Sequence, residues 1–125
     1  MTSPATRTVL VVDDDPDIRS LIEDLLSLEG YRIISAPDGA AALSVAAREQ
    51  PDVILLDLNM PVLDGQGFAR AYRATPPPHA PIVCMTAAAE AERRCREIDA
   101  DASLGKPFEV PDLFECIAHY TRRAA

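Results

Sequence analysis

Four consecutive apolar residues, Val53-Ile54-Leu55-Leu56, run straight into Asp57. A strand with one wet face alternates apolar and polar residues, whereas an unbroken apolar run suits a strand covered on both faces, as in a parallel sheet. Parallel strands need long crossover connections, usually helices, and the rest of the chain supplies them. Val9–Val12 is a short apolar run followed by Asp13-Asp14-Asp15-Pro16, where Asp15 or a neighbour can cap a helix with Pro16 in its first turn. That helix carries Ile18, Leu21, Ile22, Leu25 and Leu26 as a one-sided apolar stripe and ends at Gly30. Arg32–Ala36 predicts a second strand, Gly39–Glu49 a small Ala-rich helix and Val53–Asp57 the third strand. Asp64–Ala74 reads as a helix, Ile82–Thr86 as a strand, Ala88–Ile98 as a helix and Ala102–Gly105 as a weak strand. A last helix, Val110–Arg123, would bury Val110, Leu113, Phe114 and Ile117. Thr75–Pro81, with four prolines in seven residues, is expected to be a stiff loop inside the domain. Five strands alternating with five helices predict an α/β fold, a doubly wound parallel sheet with helices on both sides, as one domain over residues 1–125.

Length and charge narrow the function. At 125 residues the chain can bury one real core. Its longest apolar run is far short of a bilayer span, and Met1–Thr8 lacks a signal-peptide pattern, so a cytoplasmic protein without membrane contact is expected. A net charge of −8 repels a phosphate backbone and argues against direct nucleic-acid binding. Cys84, Cys95 and Cys116 show no C-x-x-C spacing and are expected to be reduced, packed thiols; His79 and His119 have no metal-ligand spacing. Eleven arginines accompany a single lysine, Lys106.

Ligands of doubly wound sheets bind beyond the carboxyl ends of the strands. There the predicted strands place Asp13, Asp14 and Asp15 after the first, Asp57 at the third, Thr86 at the fourth and Lys106 after the fifth. Taken singly, each has an ordinary explanation as a cap, turn or solvated residue; only their convergence at one edge favours a site. Crowded carboxylates repel unless a cation intervenes, and Mg²⁺ takes a few carboxylates, waters and a phosphate oxygen. An aspartate beside such an ion can attack phosphorus, and the transferred group needs positive charge and donors around its oxygens. Lys106 offers the charge and Thr86 a hydroxyl.

The stretches Val11-Val12-Asp13-Asp14-Asp15-Pro16, Leu56-Asp57-Leu58-Asn59-Met60-Pro61 with Asp64-Gly65, Met85-Thr86-Ala87 and Lys106-Pro107-Phe108 resemble the receiver domain of bacterial response regulators. The resemblance covers nearly the whole chain and implies a flavodoxin-like fold with strand order 2-1-3-4-5. It implies that Asp57 is the phosphoacceptor and that Asp14 and Asp57 ligate Mg²⁺ directly, with Asp13 acting through water and Asn59 through its backbone carbonyl. Lys106 would pair with phosphoryl oxygens, Thr86 would swing toward them, and the Lys106–Pro107 bond would be cis. The implied donor is a sensor histidine kinase or histidine phosphotransfer protein. The reader would be a downstream protein that contacts the face made by the fourth helix, fifth strand and fifth helix, with the chain a monomer or a phosphorylation-linked dimer. Ser103 departs from the pattern, for the family commonly has Tyr or Phe there to follow the threonine. Arg93, Arg94 and Arg96 would lie on or near the output face, with solvent-facing charges expected.

The rival is an enzyme, a phosphatase of the haloacid dehalogenase type, since Asp13-Asp14-Asp15 contains its D-x-D signature. Asp17 stands where that motif usually has Thr, and neither an acidic pair on a further strand after Lys106 nor a cap domain is expected. A flavodoxin-like electron carrier would need a hydroxyl-rich phosphate loop where the three aspartates stand. The expectation is a switch that catalyses only its own phosphorylation and slow dephosphorylation.

Overall fold

Each apolar run becomes a strand and each amphipathic stretch a helix. The computed structural model describes residues 7–58 and 64–121. Along the chain come β1 (Thr8–Val12), α1 (Pro16–Leu28), β2 (Arg32–Ala36), α2 (Gly39–Glu49), β3 (Val53–Asp57) and α3 (Gly65–Arg73). They are followed by β4 (Ile82–Ala87), a 3-10 turn (Ala88–Glu90), α4 (Ala91–Glu97), β5 (Ala102–Lys106) and α5 (Val110–Thr121). The five strands form one sheet in the order β2-β1-β3-β4-β5, and each adjacent pair is parallel.

Side chains alternate across this sheet with period two. Leu10 and Val12, Ile54 and Leu56, Ile82 and Cys84 face one core, closed by Ala42 and Ala46 of α2, Phe68, Ala69 and Tyr72 of α3 and Cys95 of α4. Val9 and Val11, Val53 and Leu55, Val83 and Met85 face the other, closed by Ile22 and Leu26 of α1 and Leu113 and Ile117 of α5. The central strands are therefore apolar throughout because both faces are covered.

Helix starts follow from side-chain caps. Asp15, Asp38 and Asp64 sit in extended backbone and accept from the N–H of Asp17, Ala41 and Gly67 at 2.9, 2.8 and 2.8 Å. Each cap satisfies a donor that the first turn leaves unpaired, a contribution of about 1 kcal/mol. Gly30, at φ +91°, takes the left-handed conformation that ends α1.

Several expectations are corrected. Leu21 is 49% exposed and Val110 38% exposed, so neither belongs to the core stripe of its helix. The fourth helix is shorter than predicted: it opens with the 3-10 turn and stops before Asp99, whose φ of +54° breaks the helical path. Arg73 then donates to the carbonyl oxygens of Ile98 and Asp99 beyond its end. Cys84 and Cys95, expected to be separate thiols, form a disulfide between β4 and α4. They face each other across one core layer with Cα atoms 6.1 Å apart, inside the range a disulfide spans. Sequence spacing could not show this, because the contact is made by packing. Cys116 remains a thiol.

Candidate functional site

Register brings the charged strand ends together. Val12 pairs with Leu56, Asp57 with Met85, Thr86 with Gly105 and Ala87 with Lys106. Asp13 follows Val12, so its carboxylate arrives beside the end of β3 although 44 residues separate Asp13 from Asp57 in sequence. Asp13, Asp57 and Thr86 are buried, while Asp14 is exposed.

Asp13 is held from several sides. Its Oδ1 accepts from the N–H of Asp15 at 2.9 Å, and its backbone carbonyl accepts from Arg19 Nη1 at 2.7 Å. Its own N–H donates to the carbonyl of Ala36 at 3.2 Å. Lys106 Nζ donates to Asp13 Oδ2 at 2.9 Å and lies 3.7 Å from Asp57 Oδ1. Burial alone would lower the lysine pKa, but the hydrogen bond to Asp13 and the charges of Asp57, Asp13 and Asp14 together raise it above its usual value. The ammonium therefore stays charged between two buried carboxylates that would otherwise repel each other.

Asp13, Asp14 and Asp57 each offer one carboxylate oxygen, and the three oxygens lie within 4.8 Å of one another. Opposite ligands of an octahedral Mg²⁺ shell stand about 4.2 Å apart, and that ion prefers oxygen donors and keeps several waters. The hard, anionic donor set is compatible with Mg²⁺. Asn59 lies outside the described residues.

Gly65 is a functional residue whose role the sequence reading did not see. A Cβ at this position would stand 2.7 Å from Leu58 Cα and 2.8 Å from the Asp57 carbonyl oxygen. Only glycine lets α3 begin this close to the end of β3, and the Asp-Gly pair at 64–65 was its signal. The expected cis bond at Lys106–Pro107 is present; a second, at Pro77–Pro78, had no signal beyond the proline run. Ser103 sits on β5 opposite Cys84 and is exposed. The three arginines divide: Arg93 and Arg96 pair with glutamates of their own helical segment, whereas Arg94 Nη1 lies 3.5 Å from Thr86 Oγ1.

An open parallel sheet whose carboxyl edge gathers three aspartates, a threonine and a lysine defines an α/β signalling domain of the phosphoryl-switch class. The chain belongs to the response regulator receiver domain family, whose model matches residues 9–118. It is 39% identical over 125 residues to the transcriptional regulatory protein PrrA of Mycobacterium tuberculosis, covering 98% of this chain and 52% of PrrA. The chain thus spans about half the length of the curated relatives it matches. Among solved structures it resembles the receiver domain of the sensor histidine kinase PA1611 from Pseudomonas aeruginosa, which carries a magnesium ion in its active-site cleft. That match has a TM-score of 0.83 at 31% identity, over 94% of this chain and 99% of the other. Chemotaxis protein CheY4 of Vibrio cholerae matches with a TM-score of 0.79 at 32% identity, over 92% of this chain and 98% of that one. Two-component signalling is accordingly the process in which this domain takes part.

Proposed function

We propose that Asp57 accepts a phosphoryl group from a phosphohistidine on a sensor histidine kinase or histidine phosphotransfer protein, and that the modified domain signals to a downstream protein. The observation that carries this reading is the buried Asp57 carboxylate, flanked by two further aspartates and by the Lys106 ammonium. An Asp57 oxygen forms the new bond to phosphorus as the N–P bond of the donor breaks; the electron pair leaves on the imidazole nitrogen, which takes up a proton. Lys106, 3.7 Å from Asp57, would neutralise charge on the phosphoryl oxygens, and the Thr86 hydroxyl would donate to one of them. Asp13, Asp14 and Asp57, together with the Asn59 carbonyl, would hold Mg²⁺, which when bound supplies charge neutralisation at the transferring group. Magnesium in the cleft of the PA1611 receiver supports that assignment. In this reading the chain acts on itself alone and turns over no other substrate.

The proposed output face combines α4, β5 and α5. A groove of about 810 Å³ there is lined by Ser103, Phe108, Glu109, Asp112, Glu115 and Tyr120 among others, a surface suited to a protein partner. Intact-mass spectrometry after incubation with acetyl phosphate tests the switch chemistry. One Mg²⁺-dependent, base-labile phosphoryl adduct is expected on the wild type and none on Asp57→Asn. A folded, Mg²⁺-replete protein that gains no adduct would sink the phosphoacceptor reading.

A further inference from the structure

The three aspartates after β1 are tethered unequally. Both carboxylate oxygens of Asp13 are engaged, Oδ1 by the N–H of Asp15 and Oδ2 by Lys106. Asp15 caps α1 through its own Oδ1. Asp14 is exposed, and its side chain makes no hydrogen bond to another described residue. Yet one of its carboxylate oxygens lies within 4.8 Å of oxygens of Asp13 and Asp57. Its direction must come from the backbone that carries it.

That backbone is held on both sides of Asp14. The Asp13 carbonyl and the Asp14 N–H belong to one planar peptide unit. Arg19 Nη1 donates to this carbonyl at 2.7 Å and so pins the plane before Asp14. The plane after it carries the Asp15 N–H, which is pinned at 2.9 Å by Asp13 Oδ1. With both planes held, the Cα–Cβ bond of Asp14 has a set direction. Arg19 also brackets the loop, since its own N–H donates to the carbonyl of Asp15 at 3.0 Å. Its half-buried side chain extends from a firm base, because Ile22 and Leu26 of the same helix are fully buried against the sheet.

Resting on the Mg²⁺ site of the phosphoacceptor reading, we propose that Arg19 is a positioning residue for the metal. It latches the Asp13–Asp14 peptide so that the Asp14 carboxylate faces the oxygens of Asp13 and Asp57 before any ion arrives. Without the latch, the loop must be ordered as the ion binds, and that ordering weakens binding. The guanidinium also acts in the opposite sense, as a permanent cation that repels Mg²⁺. Asp14 is exposed and Arg19 only half-buried, so water and salt screen the repulsion. A misdirected carboxylate, by contrast, loses its bond to the ion outright. Positioning therefore decides the sign.

The test is a Mg²⁺ titration at constant ionic strength, followed by amide NMR shifts, on the wild type, Arg19→Ala, Arg19→Met and Arg19→Lys. The Mg²⁺ Kd should rise about tenfold in Arg19→Ala, the lower end of what loss of a ligand-orienting partner costs. Arg19→Met, which keeps the apolar stem, should weaken binding equally, and Arg19→Lys, which keeps a charged donor, should recover part of it. In acetyl phosphate labelling, Arg19→Ala should need more Mg²⁺ for half-maximal rate by the same factor and match the wild type at saturation. A merely structural role would instead lower the urea midpoint of the metal-free protein and leave Kd unmoved. An unchanged Kd in Arg19→Ala and Arg19→Met, or tighter binding from relieved repulsion, overturns the inference while leaving Asp57 as the acceptor. Wild-type protein that binds Mg²⁺ but gains no adduct removes the acceptor reading, and the Kd comparison still decides the latch. Wild-type protein that binds no Mg²⁺ overturns the latch.

Discussion

Lys106 is the residue on which the charge balance of the site turns. It is the only lysine, its ammonium reaches two buried carboxylates, and its pKa is raised by them. A raised folded-state pKa means that the folded protein holds this proton more tightly than the unfolded chain does. The stabilisation is present in full below the unfolded value and is lost as pH climbs through the folded one, in the alkaline range. Cys116 titrates in the same direction for a different reason: burial, helped by the charge of Glu115, pushes its thiol up to about 11 from 9.0. Since the thiolate is the reactive form, alkylation of Cys116 by iodoacetamide should rise through a midpoint near pH 11. A midpoint near the ordinary thiol value, in protein shown by circular dichroism to be folded, would mean that the thiol is not buried as described. Thr86 and Arg94 illustrate what single positions hide. The hydroxyl could be placed at a strand end from the apolar run before it, but nothing in the spacing of Arg93, Arg94 and Arg96 told which one turns inward.

Elements were the most legible level, because hydrophobic period and helix caps report local physics directly. β2, α2 and β3 have the predicted bounds, β1, α3, β4 and β5 differ by a residue or so at their ends, and the predicted end of α5 at Arg123 lies outside the described residues. The exception, α4, begins without a side-chain cap hydrogen bond, and its end is set by a left-handed residue and an arginine from α3, both invisible to local pattern. The Cys84–Cys95 bridge escaped for the same reason, as it depends on which face of α4 meets β4. The junction between β3 and α3 depends on one missing atom. Gly65→Ala would drive a methyl group into the backbone of Leu58 and Asp57, forcing α3 away from the strand end. Overpacking of this kind costs about 1–3 kcal/mol, so the urea midpoint should fall with little change in slope. An unchanged midpoint would show that α3 can slide without loss.

For the whole molecule the dominant fact is charge placed at one edge. The chain carries −8 overall, and three of its carboxylates crowd where the strands end. A divalent cation binding there should stabilise the fold by about 1.4 kcal/mol at tenfold excess over Kd. Mg²⁺ should raise the melting temperature more than NaCl of equal ionic strength, and the difference should vanish in Asp14→Asn. Equal effects of the two salts would point to general screening. The site could be assembled from sequence because a parallel sheet sends every carboxyl end to one side, which only strand order and register then had to align. The opposite side has its own geometry. Arg32 N–H donates to the carbonyl of Arg7 at 2.9 Å, and Tyr31 Oη lies 3.3 Å from Thr121 Oγ1, so the start of β1 and the end of α5 meet at one corner. A short peptide bridging that corner, with new termini opened in the exposed turn at Pro76–Pro78, would give a circular permutant in which Asp13, Asp57, Thr86 and Lys106 keep their neighbours. The order in which these four residues are synthesised is therefore separable from the place where they meet.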